Sequence, residues 1–127
     1  MERAGAIVEF VTPLFDCDRV WKAWLVWRHA LAGAAVAAVL AKPGARHLIK
    51  PEAVWEYEQG QRFSMQDFVR ASHARSQFDT QITGLFERFD VLALPTAQVW
   101  PFPIGERWPK EISGRAMDTY HRWMEVT

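Results

Sequence analysis

The chain has 127 residues, half of them hydrophobic, and its fifteen basic and fifteen acidic side chains leave no formal net charge. That length suits a single domain, and the even balance, with no long run of either sign, excludes the basic stripe of a nucleic-acid binder and the polybasic patch of a membrane-surface protein. The single cysteine, Cys17, has no disulfide partner and no companion at zinc-ligand spacing, which fits a reducing, cytoplasmic setting.

The N-terminal stretch MERAGAIVEFVTP holds too short an apolar run for a signal peptide, and the Ala/Val-rich stretch 30–41 is too short to span a bilayer. Residues 6–11, AIVEFV, predict a short strand ahead of Pro13. Asp16 or Asp18 then caps a predicted helix from about Asp18 to Leu40, whose apolar stripe is Val20, Trp24, Trp27, Leu31, Ala34 or Ala35, and Ala38, and Lys42-Pro43-Gly44 ends it. Pro51 opens a second, short helix with Gly60 as its C-terminal cap. A third begins at Ser64, with Asp67 placed to reach back to the cap. Its face runs through Phe68, Ala71, Phe78, Ile82, Leu85 and Phe89, interrupted by Ser72 and Arg75.

The stretch DVLALPT, 90–96, predicts a strand whose apolar residues do not alternate with polar ones, the pattern of a strand buried on both faces. After it, Pro95, Pro101, Pro103 and Pro109 with Gly105 and Gly114 forbid regular structure over most of 97–115. A last helix is expected from about Asp118. Two strands far apart in sequence cannot satisfy each other's outer edges, so the pattern is that of part of a larger sheet protein. Seven Trp and eight Phe, with Trp21, Trp24 and Trp27 three apart, exceed what so small an interior packs readily, and some of these rings are expected to meet another surface.

Catalytic motifs are absent from the residues themselves. His29, His47, His73 and His121 lie in separate segments with no metal-ligand spacing, and surface or helix-face positions are expected for them. Cys17 has two aspartates beside it and reads as an ordinary thiol. Ser64 reads as a cap, Ser72 and Ser76 lie on a helix, and Ser113 lacks the glycine-flanked turn of a nucleophile. Lys22, Lys42, Lys50 and Lys110 fall on helix faces or loops. Arg75 is expected to pair with Glu56 or Glu58. No phosphate-cradling glycine pattern occurs, and no basic residues interleave the tryptophans as on a single-strand platform.

In order along the chain, GAIVEFVTPLFDCDRVWKAWLVWRHAL, KPEAVWEYEQG, RFDVLALPTAQVWPFP and GRAMDTYHRWMEV resemble the C-terminal half of amidase-signature enzymes such as bacterial amidases. The resemblance covers nearly all 127 residues, and its most specific parts are FDVLALPTAQVWPFP and MDTYHRWMEV. It implies an α/β fold, mostly helical, with one or two strands of a larger mixed sheet, residues 1–127 forming a partial amidase domain truncated at both ends. The family hydrolyses amides with a serine nucleophile, a second serine and a lysine, carried in a GGSSGG-type half that this sequence does not contain. It therefore implies no catalytic residue here, no metal and no cofactor. The wall of the substrate funnel would be formed by Thr96, Trp100, Phe102, Tyr120, Trp123 and Met124. The implied partner is a small-molecule amide, not nucleic acid or membrane, and homodimerisation is left open. Relatives that amidate charged transfer RNA hold their substrate with an arginine and an aspartate where this chain has Glu56 and Met124, which sets it apart from that amidotransferase branch. A reading of another class is a stand-alone helical module binding a partner protein through Trp21, Trp24 and Trp27. For the isolated chain, strands without neighbours imply aggregation or a molten state.

Overall fold

A computed structural model describes residues 1–12 and 15–125. Three helices carry the fold: α1 (Cys17–Leu40), α2 (Pro51–Gly60) and α3 (Met65–Leu85), followed by a hairpin of β1 (Glu111–Ile112) and β2 (Arg115–Ala116). The chain is thus mostly helical with one small antiparallel sheet.

Local chemistry accounts for the helix ends. Asp16 is the N-cap of α1, its carboxylate accepting a 3.0 Å bond from the Arg19 N–H. Pro51 opens α2, where its missing N–H costs nothing. At Ser64 the hydroxyl accepts from the Asp67 N–H at 3.1 Å while the Ser64 N–H donates to Asp67 Oδ2 at 2.8 Å, a complete capping box. These starts match expectation.

Helix α1 packs against both α2 and α3. It is long and apolar enough to cross a membrane by length and composition, a test that the core helix of a soluble protein also passes. The face it buries is rotated from the expected one. Trp21, His29 and Gly33 are buried along an i, i+4 row, whereas Leu31 is 66% exposed and Trp24 41%. The cause is that two helices flank α1: α3 takes Ala23, Val26 and Trp27 against Ala71 and Ala74, and α2 takes the His29–Gly33 side. The expected α3 face is largely as read, except that Arg75 points to the outside of it.

Gly60 is not the left-handed cap that the sequence suggests, since Gln61 follows it in right-handed helical geometry and Gly60 itself has no positive φ. Its function is close approach. A Cβ at Gly60 would stand 2.7 Å from the His29 carbonyl oxygen, and one at Gly33 would already touch the Tyr57 backbone at 3.7 Å. The hairpin turn is the other glycine-dependent point: Ser113 at φ 51° and Gly114 at φ 80° are both left-handed, as the tightest two-residue turns require.

Two expected strands are absent among the described residues, and one expected helix is cut to a single turn. Residues 6–11 are exposed and irregular, tethered by Glu9 to Arg88 at 3.4 Å. Residues 90–95 are likewise no strand, and far from being buried on both faces they leave Val91 67% and Leu94 59% exposed. A strand is defined by its ladder, and among the described residues no backbone hydrogen bond joins either stretch to a neighbour that could form one. The helix expected from Asp118 is reduced to a 3-10 turn, Arg122–Met124. Here Met117 N–H is taken by the Lys110 carbonyl as the hairpin closes, and the following bonds run i to i+3, so one turn never becomes the several that repay helix nucleation. Its expected end, 126–127, lies outside the described residues.

Gly60→Ala is expected to force α1 and α2 apart and to cost roughly 1–3 kcal/mol, because the clash is with backbone that cannot swing away. Urea unfolding followed by circular dichroism checks it, with Gly84→Ala, a helical glycine that meets nothing within 4 Å and should lose no stability, as the control.

Candidate functional site

The α1–α2 approach at Gly60 brings His29 to the α2 side chain Glu56, and a third segment, 117–125, adds His121. All three are buried: His29 is 3% exposed, Glu56 5% and His121 2%. Arg28 Nε donates to Glu56 Oε1 at 2.6 Å. The same oxygen lies 3.3 Å from His121 Nε2 and 3.9 Å from His29 Nδ1. Both imidazoles are walled by rings: Trp24 and Tyr120 each stand 5.4 Å from His121, Trp55 stands 5.2 Å from His29, and the two imidazoles are 5.6 Å apart.

Neither nitrogen of His121, nor His29 Nδ1, makes an aligned hydrogen bond to protein. Burial holds both imidazoles below their ordinary pKa; for each, Glu56 opposes the shift and Arg28 reinforces it, as His121 does for His29. Desolvation wins because the one carboxylate near them is already engaged by a guanidinium. The cluster is therefore a neutral imidazole pair around one ion pair, and it holds three segments together. Among the described residues no group of three or more His, Cys, Asp or Glu is arranged to hold a metal ion.

The expected helix-face or surface setting holds for His47 and His73, which are exposed, and for His29, which stands on the buried face of α1, whereas His121 is buried among rings outside any α-helix. A signal for His29 did exist: it continues the i, i+4 row from Trp21, two turns on. For His121 there was none beyond its aromatic neighbours. The expected pairing of Arg75 with Glu56 or Glu58 is not made either. Glu56 is held by Arg28 and Glu58 by Arg46, while Arg75 lies over the Trp27 ring at 5.2 Å.

The expected wall residues fall into two groups. Phe102 and Trp123 meet edge to face at 5.4 Å, and Tyr120 meets Trp108 in the same way at 5.6 Å. Gln98 ties the proline-rich loop to this cluster by donating to the Arg122 carbonyl at 2.7 Å. Thr96, Trp100 and Met124 are exposed, Trp100 to 91%. Two open clefts of about 430 Å³ each run along α1 and α3, one beside Phe15 and Phe78 and the other beside Arg19, Lys22 and Arg70, and no expected wall residue lines either.

Glu56→Ala is expected to destabilise the chain by roughly 2 kcal/mol in a denaturant titration, less than for a fully buried pair because Arg28 stays half in water. Since both histidines have lowered folded-state pKa values, their contribution to stability is complete above the unfolded value of about 6.5 and is lost as pH falls through the folded-state values. The urea midpoint should accordingly drop on acidification below about pH 6.5, and His121→Gln should flatten that dependence.

Comparison of the chain with protein-family models, curated proteins and solved structures finds no match in any of the three.

Proposed function

We propose that these 127 residues are the C-terminal part of an amidase-signature enzyme, hydrolysing a carboxylic amide, and that they supply scaffold and one wall of its substrate funnel. The observation that carries this reading is the ordered run of four segments, above all FDVLALPTAQVWPFP followed by MDTYHRWMEV. The exposed stretch 90–95 supports it: an apolar segment with unpaired backbone is what an interior strand presents when its sheet neighbours are elsewhere. The grouping of Phe102, Tyr120 and Trp123 supports an aromatic wall, suited to an apolar or aryl amide.

Amide hydrolysis by this route needs an activated serine and donors for the oxyanion. No serine here has a base beside it in a glycine-rich turn, so the chemistry belongs to residues beyond these. Glu56, buried on Arg28, is spent on structure, which disfavours the branch that needs a charge at that place for its substrate. The protein-binding module is disfavoured because Trp21 lies under Arg122 and Trp27 packs on Phe68, leaving Trp24 alone of the three more than a third exposed.

The purified chain should release no ammonia or amine from aliphatic or aryl amides above the buffer rate, and hydrolysis by the chain alone would overturn the assignment of the nucleophile to another segment. In an enzyme containing this stretch together with a serine–lysine half, Trp123→Ala should raise KM for an aryl amide about tenfold and leave acetamide nearly unchanged. Equal losses on both substrates would remove Trp123 from the wall.

A further inference from the structure

Segment 117–125 meets the helices through His121, which enters the Glu56 cluster between Trp24 and Trp55, and through Arg122 over Trp21, while Met117 and Glu125 are buried within it. Within the segment, Arg122 is paired with Asp118 at 3.2 Å and with Glu125 at 3.0 Å, and Arg115 reaches Glu125 at 3.5 Å. Those pairs hold the segment to itself and to the hairpin; beyond them, Arg115 reaches Asp18 of α1 only at 4.0 Å and in solvent, and Gln98 of the proline-rich loop donates to the Arg122 carbonyl, so the segment can move as a unit with the hairpin and that loop.

We propose that His121, Glu56 and His29 form an acid-sensitive latch, in which neutral imidazoles keep segment 117–125 docked on the α1–α2 pair and double protonation releases it. The charges that face the cluster are few. Helix α1 contributes Arg28 and His29, α2 contributes Glu56, and the segment contributes His121 with Tyr120 beside it. Glu52 of α2 is turned away onto Arg107.

With both imidazoles neutral, Arg28 and Glu56 cancel. A proton on His121 is met in part by Glu56 at 3.3 Å, on an oxygen that already receives Arg28 at 2.6 Å. A second proton, on His29, then finds the same oxygen at 3.9 Å and a charged imidazole across a 5.6 Å gap. Two buried imidazolium cations and the half-exposed Arg28 would then share one buried carboxylate, and the cluster relieves this by releasing the element with the least other support. That element bears Tyr120 and Trp123, so release also carries their aromatic grouping with Trp108 and Phe102 away from the α1–α2 pair.

Methionine oxidation reads the docking directly, because the thioether has no proton to titrate. Met117 is 7% exposed, whereas Met65 at 78% serves as an internal standard in the same chain. With hydrogen peroxide and mass spectrometry, Met117 oxidation relative to Met65 should rise about tenfold or more between about pH 7.5 and about pH 5, with the helical circular dichroism unchanged. His29→Gln, which lies outside the segment, should abolish most of that rise. A flat Met117 profile in the unsubstituted chain overturns the latch. So does a rise that coincides with loss of helix signal, which is global unfolding, or a full rise that survives His29→Gln.

Discussion

The fold turns on the burial of one carboxylate. Glu56 is 5% exposed, and an ionised group withdrawn that far from water is costly unless its surroundings replace the lost hydration. Arg28 supplies the direct bond, and the imidazoles of His29 and His121 close the other sides. The cluster draws on three places: Arg28 and His29 from α1, Glu56 itself from α2, and His121 from the segment beyond the hairpin. Satisfying Glu56 therefore sets the spacing of α1 and α2, for which Gly60 must lack a side chain, and determines where 117–125 lies.

Around this polar centre the apolar packing is modest. The buried side chains of the α1–α3 contact are mainly alanines, and much of the aromatic surface is arranged as edge-to-face pairs at the margins rather than as an interior. Large apolar groups remain in solvent along two irregular stretches, Ile7 with Phe10 and the run from Val91 to Ile104, and singly elsewhere, as at Leu31, Leu48 and Met65. Exposed apolar surface on unpaired backbone is a liability for a free domain and an ordinary property of one side of an interface. The amidase reading gives that surface a use, as the place where the rest of a sheet would continue, and it gives the loop around Phe102 the task of shaping a substrate site while the bond-breaking groups stand on other residues.

The electrostatic layout separates two tasks. Ion pairs at the rim, such as Arg46 with Glu58 or Arg70 with Asp67, are solvent-exposed and contribute little to stability. The pairs around Glu125 and Glu56 are different, because one partner in each is buried and loses much if left alone. Both serve the segment 115–125, the first by making it rigid within itself and the second by docking it.

What the sequence determined by itself is local. Asp16 caps α1, Pro51 opens α2, and Ser64 with Asp67 closes a box at the start of α3, because each device acts within three or four residues and needs nothing from elsewhere. The α3 face was legible for the same reason, as was the absence of regular structure across most of the proline-rich loop. Only the tertiary structure decided the rest. Whether AIVEFV and DVLALPT become strands depends on ladder partners, and composition cannot say that the partners are missing. Which side of α1 is buried depends on two flanking helices, which turned the face toward Trp21 and His29 and away from Leu31. The meeting of His29, Glu56 and His121 has no spacing signature at all, since three distant segments acquire a common centre only when α1 and α2 approach closely enough at Gly60 to leave one carboxylate without water.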